Sequence, residues 1–298
     1  MRTELLFFLR NKACLDPHAI NQPLWQIRIL GENMEKTETT IFVDWENLLH
    51  DLIAIQKNPK TDKHFSSPHF NFNSPEQLLA LIRSFLEPEE ELKRIYFYVS
   101  EPFTEVEPRI KGNKNEELEE YKEKNPKDYE ERVNKSGIIQ SFNHNIAQQN
   151  QVTLRVGRVM FEFVYKFEGK EVYGREAKIL IPCLKLRQKG IDTLLVHDIA
   201  KICYTATSRC VLLFSKDTDF VPVLEEVQDQ HSKAFIANIK KSPISVPSDL
   251  KKSCGVRGCS VAEIVVKLPK SQHSPKKKNF PPKEPFNNPF KDHLYKKN

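Results

Sequence analysis

The apolar positions of this chain fall into short β-like runs separated by stretches with helical spacing. Thr39 to Val43 is a β-branched and aromatic run that closes on Asp44, and it reads as a buried strand. From Asn47 to Ile55 the apolar residues Leu48, Leu49, Leu52, Ile53 and Ile55 recur at helical intervals. Ser74-Pro75-Glu76-Gln77 has the form of a helix start, with Ser as cap, Pro in the first turn and Gln at the capping-box position. Leu78, Leu79, Ile82, Phe85 and Leu86 then supply one apolar face. Lys93–Ser100 (KRIYFYVS) predicts a second strand. Residues 116–124 and 129–144 predict two exposed helices inside a polar stretch. Val152 to Val172 is rich in Val, Phe and Tyr, and Gly169 breaks its alternation, which predicts strands and a hairpin.

Further along, Gly190-Ile191-Asp192 opens a helix carrying Leu195, Ile199, Ile202 and Ala206 on one side. Cys210–Phe214 (CVLLF) is uninterrupted and apolar, as expected of a strand covered on both faces. A helix over Phe220–Gln230 and a strand over Ala234–Ile239 come next. This alternation of strand and helix predicts a parallel α/β sheet with right-handed crossovers.

Composition changes the picture at the two ends. The 298 residues carry a formal net charge of +6, but Lys267–Asn298 holds nine lysines against Glu284 and Asp292, a net of +7. The rest of the chain is therefore close to neutral, at −1, which argues against a histone-like basic coat. The segment from Pro269 also contains Lys276-Lys277-Lys278 and the aromatics Phe280, Phe286, Phe290 and Tyr295. Its Pro and Lys content predicts disorder, and its chemistry suits single-stranded RNA as well as a purely solubilising tail. Residues 1–38 lack periodicity, and Met34 is the expected natural start. No apolar run approaches the ~18 residues of a membrane helix, and Leu5–Leu9 is too short for a signal-peptide core. Six scattered cysteines suit reduced thiols and a cytoplasmic location. Cys254 and Cys259 lack a second Cys or His pair, which argues against zinc.

The chemistry-bearing residues stand where strands end. Asp44 closes the first strand in V-D-W-E-N, Asp192 follows K-G-I, and Asp217 and Asp219 follow the buried strand in S-K-D-T-D-F. Ligands of open α/β sheets bind beyond the carboxyl ends of strands, so these acids can converge there. Carboxylates held together repel by about 4 kcal/mol per pair at ~4 Å and an effective dielectric near 20. A divalent cation relieves that repulsion, and oxygen donors favour Mg²⁺ or Mn²⁺ over zinc. Structural duties compete: Asp219 reads equally well as a helix N-cap, and Asp192 as a helix-dipole partner. Asp44 has few such duties. Asp198 lies six residues after Asp192, about 240° around a helix and ~9 Å along it. It is the weaker ligand candidate, suited to orienting another group or pairing with Lys201.

F-V-D-W-E-N-L, K-G-I-D-T-L-L-V-H-D and L-F-S-K-D-T-D-F-V-P-V-L-E-E-V, in that order over roughly residues 39–266, resemble the NYN domain family, the LabA-like branch of the PIN-like nucleases. The resemblance implies a three-layer α/β/α PIN-like domain over 39–266, with polar insertions at 58–74 and 101–151 and the basic tail at 267–298. It also implies a metal-dependent endoribonuclease that hydrolyses phosphodiester bonds with a water activated by Mg²⁺ or Mn²⁺. Asp44, Asp192, Asp217 and Asp219 match the family's acidic cluster, and Asn47 matches a polar position beside it. Ser215 is a further candidate. Lys216 and Thr218 depart from the family's small residues, and Lys216 is open to two readings, a phosphate contact or a crowding side chain. Single-stranded RNA is the expected partner, without membrane association, and the insertions leave room for a homo-oligomer or a protein partner. A non-catalytic RNA-binding scaffold and a DNA nuclease are the rival expectations.

Overall fold

A computed structural model describes residues 36–268, apart from 59, 62, 66–68, 103–113, 173–174 and 206. The chain divides into two units at Lys36/Thr37, and all of the described strands and helices lie in the second. Residues 1–35 of the expected N-terminal extension, the start at Met34 and the tail from Pro269 onward lie outside the described residues, whereas Thr37 and Glu38, read as part of that extension, belong to β1.

The elements run β1 (Thr37–Asp44), α1 (Trp45–Lys57), α2 (Pro75–Arg83), β2 (Glu90–Ser100), α3 (Lys114–Lys124), α4 (Pro126–Ala147), β3 (Val152–Val172), β4 (Arg175–Lys189), α5 (Ile191–Tyr204), β5 (Cys210–Phe214), α6 (Val221–Asp229), β6 (Lys233–Lys240), α7 (Ser248–Ser253), β7 (Gly255–Ser260) and α8 (Val261–Lys267). Short 3₁₀ turns occupy Lys63–Phe65 and Thr218–Phe220. The seven strands form one sheet in the order β4-β3-β2-β1-β5-β6-β7. Every neighbouring pair is parallel except β3/β4. The α/β reading of the sequence is correct.

Strand pleating splits the core in two. Ile41, Val43, Phe97, Leu212 and Phe214 face one layer, with Leu48, Leu52, Leu78, Phe142 and Ile264 packed upon them. Phe42, Tyr98, Val211, Leu213 and Ile236 face the other, covered by Leu195, Ile199, Leu224 and Leu250. The result is three layers, α/β/α. β5 is buried at all five positions because it lies centrally with helices on both sides, which explains its lack of alternation. Ser74 caps α2 as its sequence suggests, accepting from the Gln77 N–H.

Three segments differ from the sequence reading. The polar loop 58–74 buries Phe65, Phe70 and Phe72, so its aromatics belong to the core although its backbone is irregular. Within 101–151, α4 buries Ile139, Phe142 and Ile146, which makes its C-terminal half the crossover between β2 and β3 rather than an outlying insert. Gly169 does not end β3, since it pairs with Lys178 inside a long antiparallel ribbon with β4. Beyond Gly157, β3 leaves its partner β2 and continues with β4 alone. The fifteen paired positions from Arg158 to Val172 make a ribbon about 50 Å long. β4, α7, β7 and α8 carry no strong periodic signal, and the sequence alone does not predict them.

Candidate active site

The chain runs from β1 outward through β2 and β3 to one edge, then returns to β5 on the other side of β1. The carboxyl ends of β1 and β5 therefore flank the point where strand order reverses, the place where open α/β sheets form a crevice. Asp44 ends β1 there, and Ser215 follows β5.

Short-range bonds stitch these two segments together. The Ser215 hydroxyl donates to Asp44 Oδ2 at 3.2 Å, and the Asp217 N–H donates to Ser215 Oγ at 3.2 Å. The Lys216 N–H donates to Asn47 Oδ1 at 3.0 Å. Asp44 also caps α1 by accepting from the Asn47 N–H at 3.3 Å. Asp44 thus has a structural duty that its sequence did not reveal. Asn47 holds the backbone of the β5 loop.

Asp44 is buried, and burial pushes its carboxyl up to about 6, with the charges of Asp192 and Asp217 adding to the effect against two opposing hydrogen bonds. The sequence reading passed over Glu46, two residues on. Burial raises it to about 7, opposed by the Ser100 hydroxyl, which donates to Oε1 at 2.9 Å, and reinforced by Asp44 and Asp192. Nothing in V-D-W-E-N singles Glu46 out, because a carboxylate in the first turn of a helix is ordinary. Asp44 at the end of β1 thus feels Asp192 of α5 and Asp217 beyond β5, and Glu46 of α1 feels Asp44 and Asp192.

The remaining candidates take different places. Asp219 is exposed in the 3₁₀ turn, and its N–H donates to Asp217 Oδ1 at 3.1 Å, so Asp217 rather than Asp219 is the cap. Asp219 stands outside the charges that raise Asp44 and Glu46. Asp198 is buried on the inner side of α5, where it accepts from the Tyr98 hydroxyl at 2.8 Å and from Arg155 at 3.0 Å. Its partners lie on β2 and β3 rather than at Lys201, so it anchors α5 to the sheet. Lys216 turns inward. Its ammonium pairs with Asp51 at 2.6 Å and donates to the Ile244 carbonyl at 2.8 Å, both partners in the pair being buried. Ser242 donates to the other Asp51 oxygen. The phosphate-contact and crowding readings of Lys216 both give way to a buried ion pair.

Two glycines set α5, and with it Asp192. Gly190 adopts φ +84 before the helix, a conformation that L side chains rarely hold. Gly157 lies so close to Ile191 that a Cβ there would meet its side chain at 2.4 Å. Asp192 is exposed in the first turn of α5.

Among the described residues no three His, Cys, Asp or Glu side chains stand close enough together to enclose a metal ion. The chemistry of the donors nonetheless fits a hard divalent cation. All are carboxylate oxygens, and burial together with neighbouring carboxylates raises the proton affinity of Asp44 and Glu46, which is the condition a cation relieves.

A parallel α/β sheet with an acidic crevice at its switch point defines the general class. The NYN domain model matches residues 38–256, and the chain belongs to that family. Membership carries a PIN-like nuclease fold and, at the level of the family, a nucleic-acid substrate. No curated protein shows a significant match to the chain. A crystal structure of a protein of unknown function from Vibrio parahaemolyticus RIMD 2210633 aligns with 76% of this chain and 93% of its own, at 14% identity and a TM-score of 0.34. That likeness is too loose to bear on the fold. No helix among the described residues is long and apolar enough to cross a membrane.

Proposed function

We propose that this chain is a metal-dependent endoribonuclease hydrolysing phosphodiester bonds of single-stranded RNA. The observation that carries this reading is Asp44: a buried carboxylate at the switch point, held up to about 6 by burial and by two further aspartates. Mg²⁺ or Mn²⁺ held by Asp44, Asp192 and Asp217, with Asp219 at the exposed rim, would stabilise charge on a phosphate and make water more acidic. The chain's own groups do the positioning. Ser215 and the Asn47 N–H fix both oxygens of Asp44, Ser100 orients Glu46, and the Asn47 side chain pins the loop that carries Asp217. The crevice repels a polyanion until its negative charge is offset. The lysine-rich tail is proposed as one recruiting element for RNA.

The test compares wild type with Asp44→Asn and Asp217→Asn on single-stranded RNA, with Mg²⁺ or Mn²⁺ and with a chelator. Asparagine keeps the capping role of residue 44, so the fold should survive. Each variant is expected to lose cleavage by at least about 100-fold. Absence of metal-dependent cleavage by wild type, or equal cleavage by the variants, removes the enzyme reading in favour of a non-catalytic RNA-binding scaffold. Cleavage of DNA in the same assay would instead redirect the substrate assignment.

A further inference from the structure

The β3–β4 ribbon grows out of the sheet at the rim of the acidic crevice. Its last anchored position is Gly157, which pairs with Ser100, the residue that orients Glu46. The first position beyond the sheet sets Arg158 directly opposite Lys189. Lys189 in turn precedes Gly190, Ile191 and Asp192. The ribbon is thus tied at its base to two of the crevice carboxylates.

Arg158 and Lys189 are both exposed, and neither makes an ion pair among the described residues. Like charges directly opposite one another on a sheet destabilise it, so this pair carries a repulsion that an anion would relieve. Alternate residues share a face of a strand, which puts Lys185 on the same side, also exposed and without an ion pair among the described residues. Arg187 holds the register position between Lys185 and Lys189. Glu162 stands in register opposite Lys185, so the cationic density is greatest at the base, nearest the crevice. Positions on the other register face include Tyr165, whose hydroxyl meets Glu120 of α3. α3 meets the ribbon at that position, while Arg158, Lys185 and Lys189 on the cationic face are exposed.

We propose that this cationic face is a track for the backbone of single-stranded RNA, with Arg158 and Lys189 holding the phosphate next to the crevice and Lys185 a phosphate farther along. The assignment rests on the ribonuclease reading and names the surface that delivers its substrate. Charge complementarity selects the occupant: the cations are exposed, close to an acidic crevice that cannot attract RNA itself, and arranged in file along β4. Alternate residues there recur every ~6.7 Å, a single line of charge suited to one phosphate backbone rather than the two that flank a duplex groove.

The test uses the full chain in EDTA, so that binding is read without cleavage. Fluorescence anisotropy follows a labelled 20-nucleotide oligouridylate across a KCl series. The triple variant Arg158→Ala/Lys185→Ala/Lys189→Ala is expected to bind at least 10-fold more weakly at moderate salt. The slope of log affinity against log salt should fall by about 2, at about 0.7 per lost phosphate contact on a single strand. The charge-preserving variant Arg158→Lys/Lys185→Arg/Lys189→Arg should keep the wild-type slope, which separates charge from ribbon folding. An unchanged slope in the alanine variant overturns the track while leaving the ribonuclease reading intact. RNA that binds with the predicted loss of slope but is never cleaved with Mg²⁺ or Mn²⁺ sinks the ribonuclease reading and sustains the track. A slope change seen only with a 20-base-pair duplex overturns the single-stranded occupant.

Discussion

Buried charge sits at both ends of the sheet and is handled in opposite ways. Near the amino ends of β2 and β5, Arg257 reaches across from β7 to Glu90 with two bonds of 2.6 and 2.9 Å, and it donates to the Phe85 carbonyl. Its guanidinium also lies 4.3 Å from the Phe235 ring centroid. Arg257 and its hydrogen bonds hold the Glu90 carboxyl below the ordinary range despite the opposing effect of burial, and Glu90 raises Arg257. At the carboxyl ends, burial and neighbouring carboxylates drive Asp44 and Glu46 upward instead. One end is a matched pair that the fold keeps for itself. At the other, Lys216 is taken up by Asp51, and burial with the carboxylates of Asp44, Asp192 and Asp217 raises Asp44 and Glu46 at a cost in stability. The two ends are thus distinguished by the direction in which their groups titrate.

The largest effects expected on this contrast are losses on each side. Cleavage should fall at least about 100-fold in Asp44→Asn, with little loss of stability. Arg257→Met should do the reverse, costing about 3–5 kcal/mol of folding stability because Glu90 is left buried beside an apolar side chain. Chemical denaturation would read this loss. Adding Glu90→Met should recover much of it, since an apolar pair of similar volume removes the stranded charge. If the single variant is as stable as wild type, the matched-pair account of this end is wrong.

A smaller effect should carry an unusual sign. Glu46→Gln removes a charge that the crevice disfavours, and in EDTA it should raise stability by about 1–2 kcal/mol while impairing function. The two ends also differ in pH response. Asp44 and Glu46 have raised carboxyls, so their contribution is greatest at low pH and is lost as pH rises through about 6 and about 7. Glu90 is lowered, so its contribution is present above the ordinary glutamate range and lost as pH falls through its depressed value. Metal-free denaturation from pH 5 to 8 should therefore show wild type losing stability relative to Glu46→Gln. Parallel curves would mean that Glu46 is not held up by its surroundings.

Much of this architecture was legible in the chain. β1, β5 and β6 declared themselves because central parallel strands must be apolar on both faces. α1 and α2 did so because each lays one stripe on the sheet and α2 carries its own Ser cap. Asp44, Asp192 and Asp217 were singled out because strand ends are where such folds place ligands, and Asp192 and Asp217 do act on Asp44. Glu46 was missed because a glutamate in a helix's first turn is ordinary, and only the Ser100 hydroxyl and the crevice distinguish it. Lys216 and Asp198 misled for the converse reason. Their partners Asp51, Tyr98 and Arg155 lie 43 or more residues away in every case, and spacing along a helix cannot show a bond across layers. The ribbon's length was hidden at Gly169, where a break in alternation resembles a turn but the ladder continues.

The smallest expected effect tests how closely the functional end depends on packing that has no charge at all. Gly157 gives Ile191 the space a Cβ would occupy, with the Lys189 carbonyl 3.3 Å from the same point. Ile191 is buried, so Gly157→Ala forces it either to rotate or to lift the first turn of α5, and Asp192 is the next residue. Overpacking of this kind costs about 1–3 kcal/mol, and the lower end applies because the clash is with a side chain. Cleavage should drop several-fold, since a displaced carboxylate acts less well on the crevice while its charge remains. Ile191→Val removes the Cδ1 methyl, one of the two clashing groups, and the double variant Gly157→Ala/Ile191→Val should regain part of both losses. Full activity in Gly157→Ala would show that the position of Asp192 tolerates movement of its helix. Asp192 would then belong to the exposed rim with Asp219, leaving Asp44, Glu46 and Asp217 as the fixed part of the crevice.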